Sequence, residues 1–291
     1  MPSSTYDRSL ALINDVNNTL EDQKKDFNRI GNLIKTKANC SYLVIGDVHG
    51  DLDGLQSLFS KIDIMKYLEN RFNKIVFLGD YIDRGPNQLE ALEYILSLFK
   101  HNPYQIMLLR GNHEGPADLP CFPDDFKRRI HGVFRDEAKE YLNRLQVLFD
   151  NLLTGVLVEN KALLVHGGVP TQGESLADVA FAHKLHPVRP HLEEILWNDP
   201  MDSPGVLRSP RGAGCLFGPD ITERFIDKID VKSVIRGHQA ASEGYKIDHD
   251  RILTIFSSKI RSYGNIQRAA IHVSRNSTYM IDELLEGLIY F

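Results

Sequence analysis

In "KIVFLGDYIDRGP", residues 74–86, five largely apolar residues run directly into Gly79, Asp80, Asp83, Arg84 and a Gly-Pro break. A continuous apolar run that ends on glycine reads as a strand buried on both faces. Carboxylates at the edge of a core raise the cost of folding unless a cation compensates them. The compensating charge is either Arg84 or a metal ion.

The same arrangement recurs as "YLVIGDVHG" at 42, "QIMLLRGNHE" at 105, "ALLVHGG" at 162 and "KSVIRGHQ" at 232. Each run meets a glycine flanked by Asp, Asn or His. Helical patterns over 53–62, 86–99 and 124–150 separate several of the runs, which predicts an α+β chain whose sheets are covered by helices. Ligands in such folds gather beyond the carboxyl ends of strands. Toward the end, "RILTIFSS" and "AAIHVSRNSTYMI" read as strands, with a polar turn at Ser274–Ser277, closing a second sheet.

A chain of 291 residues, 42% of them hydrophobic, can bury a large core. No linker rich in Pro, Gly or Ser divides it, so residues 40–291 are expected to form one domain. Residues 1–39 are expected to be a helical segment packed on that domain. Its stripe of Leu10, Ile13, Leu20, Phe27 and Ile34 implies a helix over 7–36. Asn17, Lys24 and Gly31 interrupt the stripe, which therefore makes no coiled-coil seam and gives no support to self-association or a regulatory partner.

The formal charge of −5 carries no basic excess for nucleic acid. Cys40, Cys121 and Cys215 are odd in number and have no zinc-ribbon spacing, so reduced thiols are expected. No apolar run is long enough to span a membrane, and no signal-peptide order opens the chain; a cytoplasmic location is the expectation.

Asp47 and His49 follow a strand two residues apart, so an extended backbone would point both the same way, between two glycines that leave room for a ligand. Asp80 and Asn112 repeat that placement, and His166 and His238 add two more donors at strand ends. Carboxylate, amide and imidazole without thiolate suit Mn, Fe, Zn or Co. Six such donors exceed what one ion that also holds water can use, so two divalent ions are expected.

"GDVHG", "GDYIDRG", "GNHE", "HGG" and "RGHQ", in that order and with the first three about thirty residues apart, resemble the phosphoprotein phosphatase family of metal-dependent serine/threonine phosphatases. "ILWNDP" at 195 and "SPRGAGCLFG" at 209 extend the resemblance over residues 40–273, with a flavour similar to archaeal and bacterial members. The resemblance implies a four-layer α-β-β-α sandwich, the calcineurin-like phosphoesterase architecture. It assigns Asp47, His49 and Asp80 to one ion and Asp80, Asn112, His166 and His238 to a second, with Asp80 bridging. Manganese is the expected ion in vitro, with iron or zinc as alternatives.

Arg84 and Arg211 are the phosphate-binding arginines that the resemblance implies, joined in the substrate site by Asn112 and Tyr263. A guanidinium can hold two phosphate oxygens in a fork. His113 takes the role of general acid with Asp83 as its carboxylate partner, since a nearby anion favours the protonated imidazole. The expected reaction is direct attack of a hydroxide held between the ions on a phosphorylated protein substrate.

The pattern departs from the family in "FSSKIRSYGN", 256–265, where Tyr263 falls two positions late. Lys259 and Arg261 there are expected to favour acidic or multiply phosphorylated substrates. After "GNHE", the stretch "GPADLPCFPDDFKRRI" also differs from the usual continuation. His183, His186 and His191 lie in a Pro-rich loop with no matching carboxylates and read as loop residues, not metal ligands. The alternatives are a dinucleoside-polyphosphate hydrolase, which shares the metal motifs, and a binding module that has lost turnover. "GDYIDRG" and "PRGAG" favour the protein-phosphatase branch, and a complete set of site residues argues against decay.

Overall fold

The computed structural model describes residues 4–25 and 28–291. Two sheets form its centre. The five-stranded sheet runs in the order 288–290, 269–273, 41–45, 73–77, 106–108, with the last three strands parallel to one another. The seven-stranded sheet runs 29–30, 33–36, 155–158, 162–164, 233–236, 252–255, 245–248.

The sequence alternation of each strand sorts the core into three slabs, because successive side chains leave a strand on opposite faces. Leu43, Ile45, Ile75, Phe77, Ile106 and Leu108 face the helices 52–62, 88–101, 125–134 and 138–151. Tyr42, Val44, Val76 and Met107 turn the other way and meet Val156, Val158, Leu164, Ile235 and Leu253 of the second sheet. Leu157, Leu163, Val234 and Ile252 face the helices 191–197 and 219–228. The result is the expected α+β class in four layers, α-β-β-α.

The N-terminal helix is shorter than the stripe implies. It spans Thr5–Gln23, opens on a reciprocal capping box between Ser4 and Asp7, and buries Ile13, Val16 and Leu20. These pack on the helices 88–101 and 138–151. Phe27 lies outside the described residues. Residues 29–36 are not helix but two strands of the seven-stranded sheet, joined at Gly31 with φ +56. A Cβ at Gly31 would stand 2.2 Å from the Ala180 carbonyl oxygen. The turn therefore requires glycine, and residues 33–36 pair in parallel with 155–158 instead of continuing a helix. The spacing of Ile34 matched the helical period by coincidence of register.

Two further expectations change in detail. The 124–150 pattern is broken at Arg135, whose φ of +50 ends one helix before a short 3-10 turn starts the next. At the end of the chain, 252–255 and 269–273 belong to different sheets, and the turn at 274–277 leads into the helix 281–286, not a strand. The final strand, 288–290, pairs with 269–273.

Candidate metal centre

Asp47, Asp80 and Asn112 follow strands of one sheet, whereas His166 and His238 follow strands of the other. The two sheets therefore deliver their carboxyl ends to one place. An isolated bridge between Asp47 and Phe256 ties them together at that edge. The glycines before the ligands permit this approach: a Cβ on Gly111 would stand 2.2 Å from Asp80 Oδ1, and one on Gly79 2.5 Å from the Gly111 nitrogen.

All six expected ligands are buried and converge. His49 Nε2 lies 3.3 Å from Asp80 Oδ2 and 3.8 Å from Asp47 Oδ2, and His166 Nε2 lies 3.4 Å from Asp80 Oδ1. Asn112 Oδ1 sits 3.0 Å from His166 Nε2 and 2.9 Å from His238 Nδ1. The chain is not extended through Asp47 and His49 as expected; His49 turns with φ +46, which still aims its ring at the cluster.

The donor set fits divalent cations. His49 Nδ1 donates to the Ile82 carbonyl and His166 Nδ1 to that of Leu78, each at 2.8 Å. Those bonds leave the Nε2 lone pairs aimed at carboxylate and amide oxygens, an acceptor-to-acceptor arrangement that a cation between them satisfies. His238 Nε2 is buried without a partner. Reversing the Asn112 amide would satisfy Asp80, His166 and His238 by hydrogen bonds alone. With a cation at the focus, the oxygen-inward orientation is the favourable one, and the burial of so many anionic oxygens has its compensation.

The backbone here is strained. His49, Asp80, Asp83, Arg84 and His238 all have positive φ, from +46 to +71. A non-glycine residue in that region costs about 1 kcal/mol or more. Such a cluster is maintained only where the surrounding bonds over-determine it. Glu114 supplies several of those bonds, accepting from the backbone N–H of Asp80 and Tyr81 at 2.8 Å, Gly111 at 3.1 Å and Ile82 at 3.4 Å. Burial and the Asp80 charge push its carboxyl up to about 8, yet an acceptor for so many donors is suited to the ionised form.

Beside the cluster, His113 Nδ1 meets Asp83 Oδ2 at 2.6 Å, and Asp83 Oδ1 accepts the Phe126 N–H at 2.8 Å. Arg84 Nη2 donates to His113 Nε2 at 3.2 Å, and its guanidinium stacks 5.2 Å from the Tyr263 ring. Arg84 Nε has no hydrogen-bond partner among the described residues. Tyr263, despite its late position in the loop, lies 5.5 Å from the His49 ring. Arg211 reaches the same cavity, of about 300 Å³, while its Nε donates to Asp199 Oδ2 at 2.7 Å. Burial raises Asp199, but Arg236, His238 and Arg211 outweigh it and hold that carboxyl well below the usual range.

Glu114, Asp199, the fully buried Arg236 and Asp125 were not singled out as site residues from sequence. Glu114 and Asp199 stand inside "GNHE" and "WNDP", so the signal was present. Asp125, in the unusual stretch after "GNHE", accepts from the Arg84 backbone N–H at 3.0 Å and from Gln88 at 2.9 Å. His183 and His191 stand in the short helices 182–185 and 191–197, not in a loop, and the three histidines do not converge: His186 pairs with Asp118 at 2.9 Å, and His191 with Glu194 at 3.3 Å and Asp178 at 3.6 Å.

Two sheets that present a carboxylate, amide and imidazole cluster at their carboxyl ends define a metallophosphoesterase centre. The calcineurin-like phosphoesterase family profile matches residues 41–242, and the chain belongs to that family. It is 29% identical over 237 residues to a protein of Encephalitozoon cuniculi named a probable serine/threonine-protein phosphatase. That match covers 78% of this chain and 49% of the relative, so the chain spans about half the relative's length. A solved serine/threonine phosphatase from Saccharomyces cerevisiae superposes with a TM-score of 0.76 at 23% identity, covering 98% of this chain and 88% of that one. A cold-active protein-tyrosine phosphatase of a Shewanella species gives 0.60 at 16% identity, over 85% of this chain and 78% of that one. Both superpositions establish the fold.

The fold and the His/Asp cluster imply divalent metal ions. No helix among the described residues is long and apolar enough to cross a membrane.

Proposed function

We propose that the protein hydrolyses phosphoserine and phosphothreonine esters in proteins, in the manner of the phosphoprotein phosphatase branch, with the six converging residues as ligands of two ions. The observation that supports this best is the placement of Arg84, Arg211 and His113, itself paired with Asp83, around one cavity with His49, Asp80, Asn112 and His238 of the ligand cluster. When bound, the two ions supply Lewis-acid activation of water and neutralise charge on the phosphoryl oxygens. Manganese suits the oxygen and imidazole donors, with iron or zinc as alternatives.

The chain's own residues divide the remaining work. Arg84, with a free Nε, and Arg211 hold phosphoryl oxygens, and the Arg84 fork is steadied against Tyr263. Guanidinium nitrogens only donate, so the Arg84 contact engages the His113 Nε2 lone pair before substrate arrives. An incoming phosphate draws Arg84 to itself and frees Nε2 to take a proton from water. His113 then returns that proton to the departing serine or threonine oxygen while the phosphorus gains the oxygen of water. Asp83, clamped by the Phe126 N–H, keeps Nδ1 protonated and the ring aimed.

Purified protein supplied with manganese should release phosphate from phosphoserine and phosphothreonine peptides faster than from phosphotyrosine peptides or diadenosine tetraphosphate. Preference for the dinucleotide in a parallel assay would replace this reading with the polyphosphate-hydrolase alternative.

The substrate preference follows from the loop at 259–262. Lys259, Ile260, Arg261 and Ser262 line an open groove with Arg84, Arg268, Asp51 and Asp53, and Arg84 is shared with the metal cavity. Lys259 and Arg261 are exposed, and neither side chain has a hydrogen-bond or ion-pair partner among the described residues. Asp51 is already engaged by Arg268 at 3.0 Å. Lys259→Glu with Arg261→Glu is expected to raise KM for doubly phosphorylated peptides about tenfold or more relative to singly phosphorylated ones, an electrostatic effect that salt weakens. Equal KM ratios for the variant and the parent would remove the loop from specificity.

A further inference from the structure

The acid side of the cavity carries a third donor that the reaction above does not use. Cys121 lies in the loop after Glu114, a free and buried thiol. Its Sγ stands 3.3 Å from His113 Nδ1 and 3.9 Å from Asp83 Oδ2, while those two atoms are 2.6 Å apart. Asp83 is 1% exposed, His113 7% and Cys121 8%, so all three donors are held within the fold. Cys121 and His113 line both the metal cavity and a second cavity of about 110 Å³ under residues 115–121.

We infer that Asp83, His113 and Cys121 form a separate, inhibitory zinc site beside the binuclear centre. Zinc bonds of about 2.0 Å to nitrogen and 2.3 Å to sulfur put tetrahedral donors about 3.3–3.7 Å apart. The sulfur–nitrogen separation already meets that and the sulfur–oxygen separation nearly does. Only the Asp83–His113 contact must open, by less than about 1 Å, as the ion replaces its proton. The Phe126 N–H on Asp83 Oδ1 fixes the carboxylate from behind, as outer partners of ligands commonly do. The fourth position faces a cavity, as in zinc sites that keep an open coordination place. Thiolate among the donors separates this site from the main cluster, which has none, and selects zinc over manganese.

Binding releases the Sγ proton, and the Nδ1 proton moves to Nε2 as the ion takes Nδ1. The ring is then held through Nδ1 by the ion and loses the direct Asp83 contact that aims it, so it no longer serves as the proton donor. The manganese ligands are untouched. Inhibition rests on the proposed role of His113, but the site itself does not.

The test uses manganese-loaded protein titrated with zinc chloride. Beyond any zinc that exchanges for manganese at the binuclear centre, one extra zinc per chain should bind, and turnover of a phosphopeptide should fall at least tenfold. Cys121→Ser should keep basal turnover, bind no extra zinc and resist inhibition. Cys121→Ala should do the same, which covers a folding defect in either variant. Cobalt chloride in place of zinc should give a near-ultraviolet thiolate-to-cobalt band in the parent and none in the variants. An unchanged zinc count in Cys121→Ser, or no thiolate band in the parent, overturns the site. A parent that shows the band but no phosphatase activity leaves the site standing and removes the activity reading instead.

Discussion

Asp80→Asn is expected to lose at least one metal ion per chain and more than about a hundredfold in turnover together, since even outer-shell changes at a metal site cost about 10–100-fold. Asp80 is the one carboxylate placed between both halves of the cluster, with Oδ2 toward His49 and Oδ1 toward His166. Asparagine keeps the shape and the acceptor for the His113 N–H, which Asp80 Oδ1 takes at 3.0 Å. What disappears is the negative charge that the proposed site shares between two cations. Its neighbours supply a second reading of the same change. Burial raises the Asp47 carboxyl and the Asp80 charge raises it further, whereas the burial of Asp80 is outweighed by His166, His113 and His49, which hold its carboxyl well below the usual carboxylate range. Neutralising Asp80 in metal-free protein therefore relieves a repulsion but also loses attractions. Thermal melting should show the variant less stabilised by added manganese than the parent. Parent-like metal content by elemental analysis would dismiss Asp80 as the bridging ligand.

His113→Asn should behave in the opposite way, keeping both ions and losing about 10²–10⁴-fold in turnover on phosphoserine peptides. Its ring faces Asp83 and Arg84, not the focus of the ligand cluster, and the backbone N–H that meets Asp80 survives the substitution. The diagnostic comparison is with p-nitrophenyl phosphate, whose leaving group departs without a proton. If His113 is the acid, the variant loses much less on that substrate than on the peptide. Equal losses on both substrates would mean that His113 supports the site structurally and is not the proton donor.

The legible part of this protein was local. A strand buried on both faces needs an unbroken apolar run, and a ligand delivered at its end needs a neighbouring glycine, so Asp47, Asp80, Asn112, His166 and His238 announced themselves within a few residues each. The N-terminal segment shows the opposite case. Ile13 and Leu20 reported a helix correctly, but Ile34 matched the same period while pairing in a sheet, because strand partners at 155–158 lie far away in the chain. Glu114 and Asp199 were visible as letters without a role, since a carboxylate whose partners are backbone N–H groups or distant arginines leaves no periodic trace.

Apolar alternation and glycine placement sufficed to specify strands, their covering helices and the kinds of atom waiting at each strand end, because those features depend on a residue and its immediate neighbours. Which ends meet depended on how the two sheets stack, a matter of packing across the Tyr42, Val44, Val156 and Leu253 slab. That stacking brings the His166 imidazole from one sheet within 3.4 Å of the Asp80 carboxylate from the other, sets Cys121 against His113, and carries the late Tyr263 back beneath Arg84. Contacts of that sort arise from the relative placement of whole layers, a quantity that no short window of residues encodes.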